Sequence, residues 1–220
     1  MVSEHNEKSV FGKALVFTMV LFFVGISLGM FIESHRTSLI EKQYDELQFE
    51  VLDSKLRSDF YQLIEEDFCE IAVADNLRFS DRIYENGKKI DIYGKFNRLG
   101  NSLDDEKRKY ALLKTEFWLN SILLRDKCGA DYDTVVYFYL DDVSDDNIKQ
   151  SQNVQSNILS SLKEEYGAGI MLIPLPIDMG ISVVDSFVEL KGISEYPTIL
   201  INEEIKLEGL HSYEDIEKLI

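Results

Sequence analysis

No cysteine lies between Cys128 and Ile220, so nothing built from that part of the chain exchanges thiols for disulfides on its own. Positive charge is also scarce, with 23 Lys and Arg against 40 Asp and Glu for a net charge of −17. Almost all of that excess follows residue 33, and such a surface repels nucleic acid and anionic lipid. The chain has three prolines, Pro174, Pro176 and Pro197, and no Pro- or Ser-rich linker, which leaves short, ordered turns between its parts. No N-x-S/T acceptor and no repeat of fixed period occurs. Two cysteines and three scattered histidines, His5, His35 and His211, offer no metal-ligand spacing, and no cofactor motif is present.

What the chain does have is one long apolar run. Ala14 to Ile32, ALVFTMVLFFVGISLGMFI, is 19 residues without a charge, about 28 Å of helix and enough for a hydrocarbon core. A cleaved signal peptide has a shorter apolar region and a small-x-small site, and the segment after Phe31 is a poor one. The expectation is an uncleaved anchor that contacts membrane lipid through Ala14 to Ile32. Lys8 and Lys13 on one side nearly balance Arg36 and Lys42 on the other, so charge alone leaves the orientation open. Gly25 and Gly29 form a small-xxx-small pair, one route to a homodimer through the anchor.

Beyond the anchor, Leu39, Ile40, Tyr44, Leu47, Val51, Leu52, Leu56, Phe60, Leu63, Ile64 and Phe68 recur at three- and four-residue steps. That spacing predicts an amphipathic helix with a narrow stripe close to a heptad (coiled-coil) seam. The seam serves a partner helix, including a second copy of this stalk, or the chain's own hairpin; packing within the chain is the simpler expectation. A second helix follows from Ile71, Val73, Leu77, Phe79, Ile83, Tyr84, Ile90, Ile92, Tyr93, Phe96 and Leu99, with a weak point at Asn86-Gly87. A third runs from Asp104 to Lys127 behind a turn at Gly100-Asn101-Ser102, its apolar side built from Leu103, Tyr110, Leu113, Phe117, Trp118, Ile122 and Leu124. Short connections make helices two and three an antiparallel hairpin, with Trp118 as core.

Cys69 falls at the start of the second helix and Cys128 at the end of the third. In an antiparallel hairpin those positions meet, so a structural disulfide is expected, although two buried free thiols fit the same count. An even count and a single anchor with its N-terminus inside set residues 33–220 outside the cytoplasm, where such a bond persists.

Residues 134–220 resemble the thioredoxin-like fold superfamily, in particular its membrane-anchored members, as in small archaeal proteins. The likeness rests on the order of elements: strand VVYFYL (135–140), a helix over 155–167, strand IMLIPLP (170–176), a helix over 184–191, EYPTILIN (195–202), a turn at Asn202-Glu203-Glu204, strand IKLEG (205–209) and a C-terminal helix from Ser212. It implies an α/β domain with a central mixed sheet flanked by helices. It also implies a cis-proline loop at Tyr196, Pro197 and Thr198, beside which the family holds extended polypeptide. The family's two cysteines sit at the start of the fold's first helix, where the helix terminus lowers a thiol pKa. Counting back from Gly167 sets Lys149, Gln150, Ser151 and Gln152 at that position, after an enlarged loop Asp141 to Asn147. Ser151 has no nearby base and does not replace a thiolate. The aspartates of that loop, Asp141, Asp142, Asp145 and Asp146, lack the spacing of a calcium loop and are expected to form a solvated, helix-capping turn.

The expected organisation is a short tail over 1–13, a spanning helix over 14–32, a helical stalk and antiparallel hairpin over 33–128, and the thioredoxin-like domain over 134–220. The expected function is non-catalytic: a single-pass anchored, redox-inactive protein that binds or positions a protein or peptide partner outside the cytoplasm. The competing reading is an accessory of a thiol–disulfide oxidoreductase or chaperone system, with Cys69 or Cys128 redox-active. A third is a cytosol-facing tether for a basic partner.

Overall fold

The computed structural model describes residues 7–63, 68–96 and 101–220, with side chains described except at 7–9, 33–47, 85, 86, 88–96 and 101–103. The expected stripe positions Leu39, Ile40, Tyr44, Leu47 and Ile64, the apolar positions Ile90, Ile92, Tyr93, Phe96, Leu99 and Leu103, and the turn residue Gly100 therefore lie outside the described side chains. The chain divides into two compact units, Met1–Glu46 and Leu47–Ile220.

The first helix, α1, spans Glu7–Leu63 and belongs to both units. Within it Val10–Ile32 is 23 residues long and apolar enough to cross a membrane by length and composition. In the second unit α1 is followed by α2 (Cys69–Phe96) and α3 (Asn101–Cys128). The weak point expected at Asn86-Gly87 does not interrupt α2. A Cβ at Gly87 would collide with the Tyr110 hydroxyl, which donates to the Ile83 carbonyl at 2.9 Å. Glycine there makes room for the neighbouring helix and leaves the hydrogen-bond ladder intact.

The two helices run antiparallel: Asn76 Nδ2 meets Ser121 Oγ at 3.0 Å near one end, and Tyr110 reaches Ile83 toward the other. Cys69 and Cys128 are joined in a disulfide with their Cα atoms 5.3 Å apart. In-chain packing of the whole α1 stripe is not what the structure has. Val51 turns inward, but Leu52, Leu56, Phe60 and Leu63 are exposed. The buried face instead carries polar groups: Ser54 is buried, and Arg57 and Tyr61 dock on α2 through Asp75.

The sheet follows as β1 (Asp133–Tyr139), α4 (Asp146–Tyr166), a single 3-10 turn at Gly167–Gly169, β2 (Ile170–Pro176), α5 (Ser182–Leu190), β3 (Thr198–Ile201), β4 (Ile205–Glu208) and α6 (Tyr213–Glu217). Its strand order is β2-β1-β3-β4, with β1 and β2 parallel and β3 antiparallel to both β1 and β4. Alternation along β1 sorts the core. Val136 and Phe138 face Trp118 of α3 and Val184 of α5, while Val135 and Tyr137 face Leu159 of α4 and Ile216 of α6. The sheet is thus covered on both sides, and the helical hairpin shares one of its two cores.

α3 is also locked to the sheet by polar contacts. The indole Nε1 of Trp118 donates to Glu203 Oε1 at 2.6 Å, Arg125 pairs with Glu203, and Thr134 Oγ1 donates to Glu203 Oε1 at 2.8 Å. Glu203 lies in the β3–β4 turn, where it and Asn202 have φ of 59° and 50°. The Glu204 amide closes that turn on the Ile201 carbonyl at 3.0 Å, the type I′ geometry suited to a twisted hairpin.

Candidate functional site

The register of β3 on β1 pairs Thr198 with Phe138, so Pro197 sits beside the C-terminal end of β1. From that same end the chain leaves β1 toward α4. Three segments therefore converge there: the loop Leu140–Asp145, the first turn of α4 and the loop that enters β3.

The loop after β1 is fastened by side chains. Gln152 of α4 accepts from the Leu140 amide at 2.9 Å and donates to its carbonyl at 3.0 Å. The carboxylate of Asp178 accepts from the amides of Asp141 and Asp142 at 2.9 and 2.8 Å. α3 reaches the same end from outside. Lys107 donates to both oxygens of Asp141 at 3.1 and 2.8 Å, and Arg108 donates to the Gly180 carbonyl at 3.1 Å.

α4 starts earlier than the spacing suggests. Asp145 is its N-cap, and Oδ1 accepts from the amide of Asn147 at 2.8 Å. The helix terminus, with its free amides and positive dipole end, is thus occupied by a carboxylate. Lys149, Gln150, Ser151 and Gln152 lie one turn further in: Lys149 and Gln150 are exposed, Ser151 is half-buried and Gln152 is buried. Asp146 and Asn147 belong to the helix and not to the preceding loop. No nucleophile with a neighbouring base stands in the described part of this corner.

The Tyr196–Pro197 peptide bond is cis. Pro197 and Thr198 are buried and Tyr196 is half-buried. Thr198 Oγ1 donates to the Glu195 carbonyl, and the Gly209 amide donates to the Pro197 carbonyl at 2.8 Å. Glu208 on β4 pins the approach to the loop: its Oε1 accepts from the Ser194 amide at 3.0 Å and lies 3.3 Å from Lys206 Nζ. The Ser194 amide, ahead of the Lys206 ammonium, holds the Glu208 carboxyl below its ordinary value. Burial, reinforced by Glu208, raises the Tyr196 phenol.

The disulfide sits elsewhere. Cys128 lies five residues before Asp133, ahead of the N-terminal end of β1, whereas Pro197 flanks the C-terminal end. Along β1 that is a strand of seven residues, about 20 Å. Among the described residues no group of three or more His, Cys, Asp or Glu is placed to hold a metal ion.

Of the residues that shape this corner, the sequence pointed to Tyr196, Pro197, Thr198 and the capping role of the aspartate loop. It missed Asp178, Glu208 and Lys107. Each acts on backbone or charge 14 to 37 residues away, and no local pattern carries such a pairing.

No family model matches the chain, and no curated protein matches it. Solved structures do. A malarial protein is 21% identical, with 40% of this chain and 92% of that one covered and a TM-score of 0.33. Thioredoxin-2, a component of the malaria parasite's protein secretion machinery, is 22% identical over 40% of this chain and 80% of its own, again with a TM-score of 0.33. Chloroplastic thioredoxin z is 15% identical over 41% of this chain and 77% of its own, with a TM-score of 0.33.

Proposed function

We propose that this chain is a single-pass membrane-anchored protein whose thioredoxin-like head binds or positions an extended protein segment outside the cytoplasm, without thiol chemistry. The observation that carries the proposal is the corner itself. The cis-proline loop and its supports are in place, while the helix terminus beside the exit of β1 is capped by Asp145 instead of a thiol. A carboxylate there is a poor nucleophile toward a disulfide and a good cap, so it favours a fixed loop over turnover. The apolar span of α1 supports the anchor, and an intact Cys69–Cys128 bond fits a compartment where disulfides persist.

Binding is tested by amide chemical shifts of Tyr196 and Thr198, on either side of Pro197, during titration with a library of extended peptides. Shifts centred there support the groove, and an unresponsive loop across the library removes it. Orientation is tested by protease accessibility of the head in intact and lysed cells; protection in intact cells overturns the extracytoplasmic placement. The accessory reading routes exchange through Cys69 or Cys128. It requires insulin-reductase activity that disappears in Cys128→Ser, whereas the non-catalytic reading expects none from the parent chain.

A further inference from the structure

The part of α1 within the second unit has its amphipathicity reversed. Its inner face, with Val51 packed on the core and Ser54 buried, meets α2 through two polar side chains: Arg57 Nε lies 3.1 Å from Asp75 with its guanidinium 4.4 Å over the Phe79 ring, and the Tyr61 hydroxyl donates to Asp75 at 2.9 Å. Its outer face carries the apolar residues. Phe49, Leu52, Leu56, Phe60 and Leu63 are 73%, 60%, 68%, 53% and 81% exposed. At about 100° per residue those five fall within an arc of roughly 80°, the width of a helix–helix seam. Asp53 and Asp59 border the stripe and no charged residue interrupts its centre.

We propose that this outer face, residues 49–63 of α1, is the contact surface for a second copy of the chain. Area supports the choice. The five side chains expose on the order of 600 Å², at the top of what a monomer leaves in water and near the ~800 Å² per partner of a stable interface. Geometry supports it too: a straight stripe on one helix is self-complementary about a two-fold axis, with like ends together. The tether adds concentration without adding contacts. The same chain carries the apolar span Val10–Ile32, so two copies in one bilayer bring their stripes to a high local concentration. This last point rests on the anchored reading. Charge selects against looser association, because two copies at −17 repel until apolar contact is made.

The test uses the full chain reconstituted at low density in phosphatidylcholine vesicles, with the native disulfide intact and one added cysteine per variant. Phe49→Cys, Leu56→Cys and Leu63→Cys are each expected to yield covalent dimer with a short bis-maleimide, at least tenfold above Ser156→Cys on the exposed side of α4. Adding Leu52→Glu and Leu56→Glu to Phe49→Cys is expected to remove that dimer, and these exposed positions spare the core. Raising the salt is expected to increase the yield. Yields equal to the control, dimer at Leu56→Cys alone, or dimer that survives the glutamates each overturn the proposal. So does a stripe shielded from a soluble maleimide without cross-linking, the mark of a lipid or foreign partner. Floated and unfloated fractions are scored separately. A chain that cross-links without floating removes the anchor and keeps the pair, and one that floats without cross-linking does the reverse.

Discussion

Replacing Glu203 separates two opposed effects, backbone strain and a buried polar network. Glu203 holds φ at 59°, a left-handed conformation that costs a non-glycine residue about 1–2 kcal/mol. Against that stand three partners. Trp118 Nε1 and Thr134 Oγ1 donate to Oε1 at 2.6 and 2.8 Å, and Arg125 pairs with Oε2. The two charged side chains are 22% and 14% exposed, so solvent neither screens the pair fully nor replaces the lost partner. Glu203→Ala strands the buried indole donor and takes the carboxylate from Arg125, whose Nη1 keeps Thr134 and Asn202 at 2.9 and 2.7 Å. With ~1–3 kcal/mol for each buried donor left without an acceptor, the loss is about 3–4 kcal/mol. Glu203→Gly removes the same side chain but relieves the backbone, so its loss is smaller by about 1 kcal/mol. Glu203→Gln keeps a neutral acceptor for Trp118 and loses roughly 1–2 kcal/mol.

The chain's single tryptophan is the reporter. Urea titration followed by Trp118 emission should lower the midpoint in the order Gln, Gly, Ala, by roughly 1.5–2 M for Ala at an m-value of ~2 kcal/mol/M. A Glu203→Gly variant as stable as the parent would refute the reasoning, because strain relief would then outweigh the network. Equal losses for Gly and Ala would refute the strain half alone. Trp118→Phe combined with Glu203→Ala, followed by circular dichroism, isolates the indole bond as a coupling of about 1 kcal/mol.

Three further outcomes follow from other parts of the chain. Reducing the Cys69–Cys128 bond, which spans 59 residues, should cost about 4 kcal/mol in the chain-entropy account, read as a urea midpoint shift with and without reductant; a shift under a quarter of that removes the structural role. Glu208 and Asp215 are held below their ordinary values, chiefly by the Ser194 amide and by the Ser212 hydroxyl. Their contribution is present above the unfolded values of 4.5 and 3.8 and is lost as pH falls through the lower folded values. The protection of amides around Ser194 and α6 against exchange should therefore fall below about pH 4, and unchanged protection there counts against both carboxylates. Burial raises the Glu106 carboxyl on α3, so its charged form opposes folding once pH exceeds the unfolded value. Glu106→Gln should raise the midpoint at pH 7 and give no gain at pH 3; a gain at both pH values would point to packing instead.

The parts of the fold legible in the sequence were those written in apolar residues or punctuation. β2 stands out as a continuous apolar run closed by Pro176, and α6 by Ser212, which forms a capping box with Asp215. The start of α4 was not legible, because its inward positions are glutamines. Gln152 grips the Leu140 backbone and Gln155 accepts from the His211 amide at 2.8 Å, so the helical period is present but invisible to a hydrophobic template. The seam on α1 was legible as a stripe, yet its direction was not. The competing inner face won through Arg57 and Tyr61, which find Asp75 across a helix boundary. The turn at Asn202-Glu203-Glu204 was readable from composition, but its lock on Trp118, 85 residues earlier, was not.

Where the sulfur lies decides how far the accessory reading can reach. A thiol that exchanges with a bound segment has to meet a disulfide of that segment at contact distance, because attack passes through a mixed disulfide. A segment held at the cis-proline edge, as proposed, would run past Tyr196 and Pro197, at the C-terminal end of β1. Cys128 precedes the other end of that strand, about 20 Å away along it. Neither cysteine therefore serves a disulfide held against the cis-proline edge without the sheet or hairpin coming apart. Redox action through Cys69 and Cys128 has to use a surface of the hairpin, and its substrate would be indifferent to Tyr196. A Tyr196→Ala variant should accordingly weaken peptide binding and leave any exchange at the disulfide unchanged. Coupled loss of both would mean that the two ends of the sheet meet in a state other than this one.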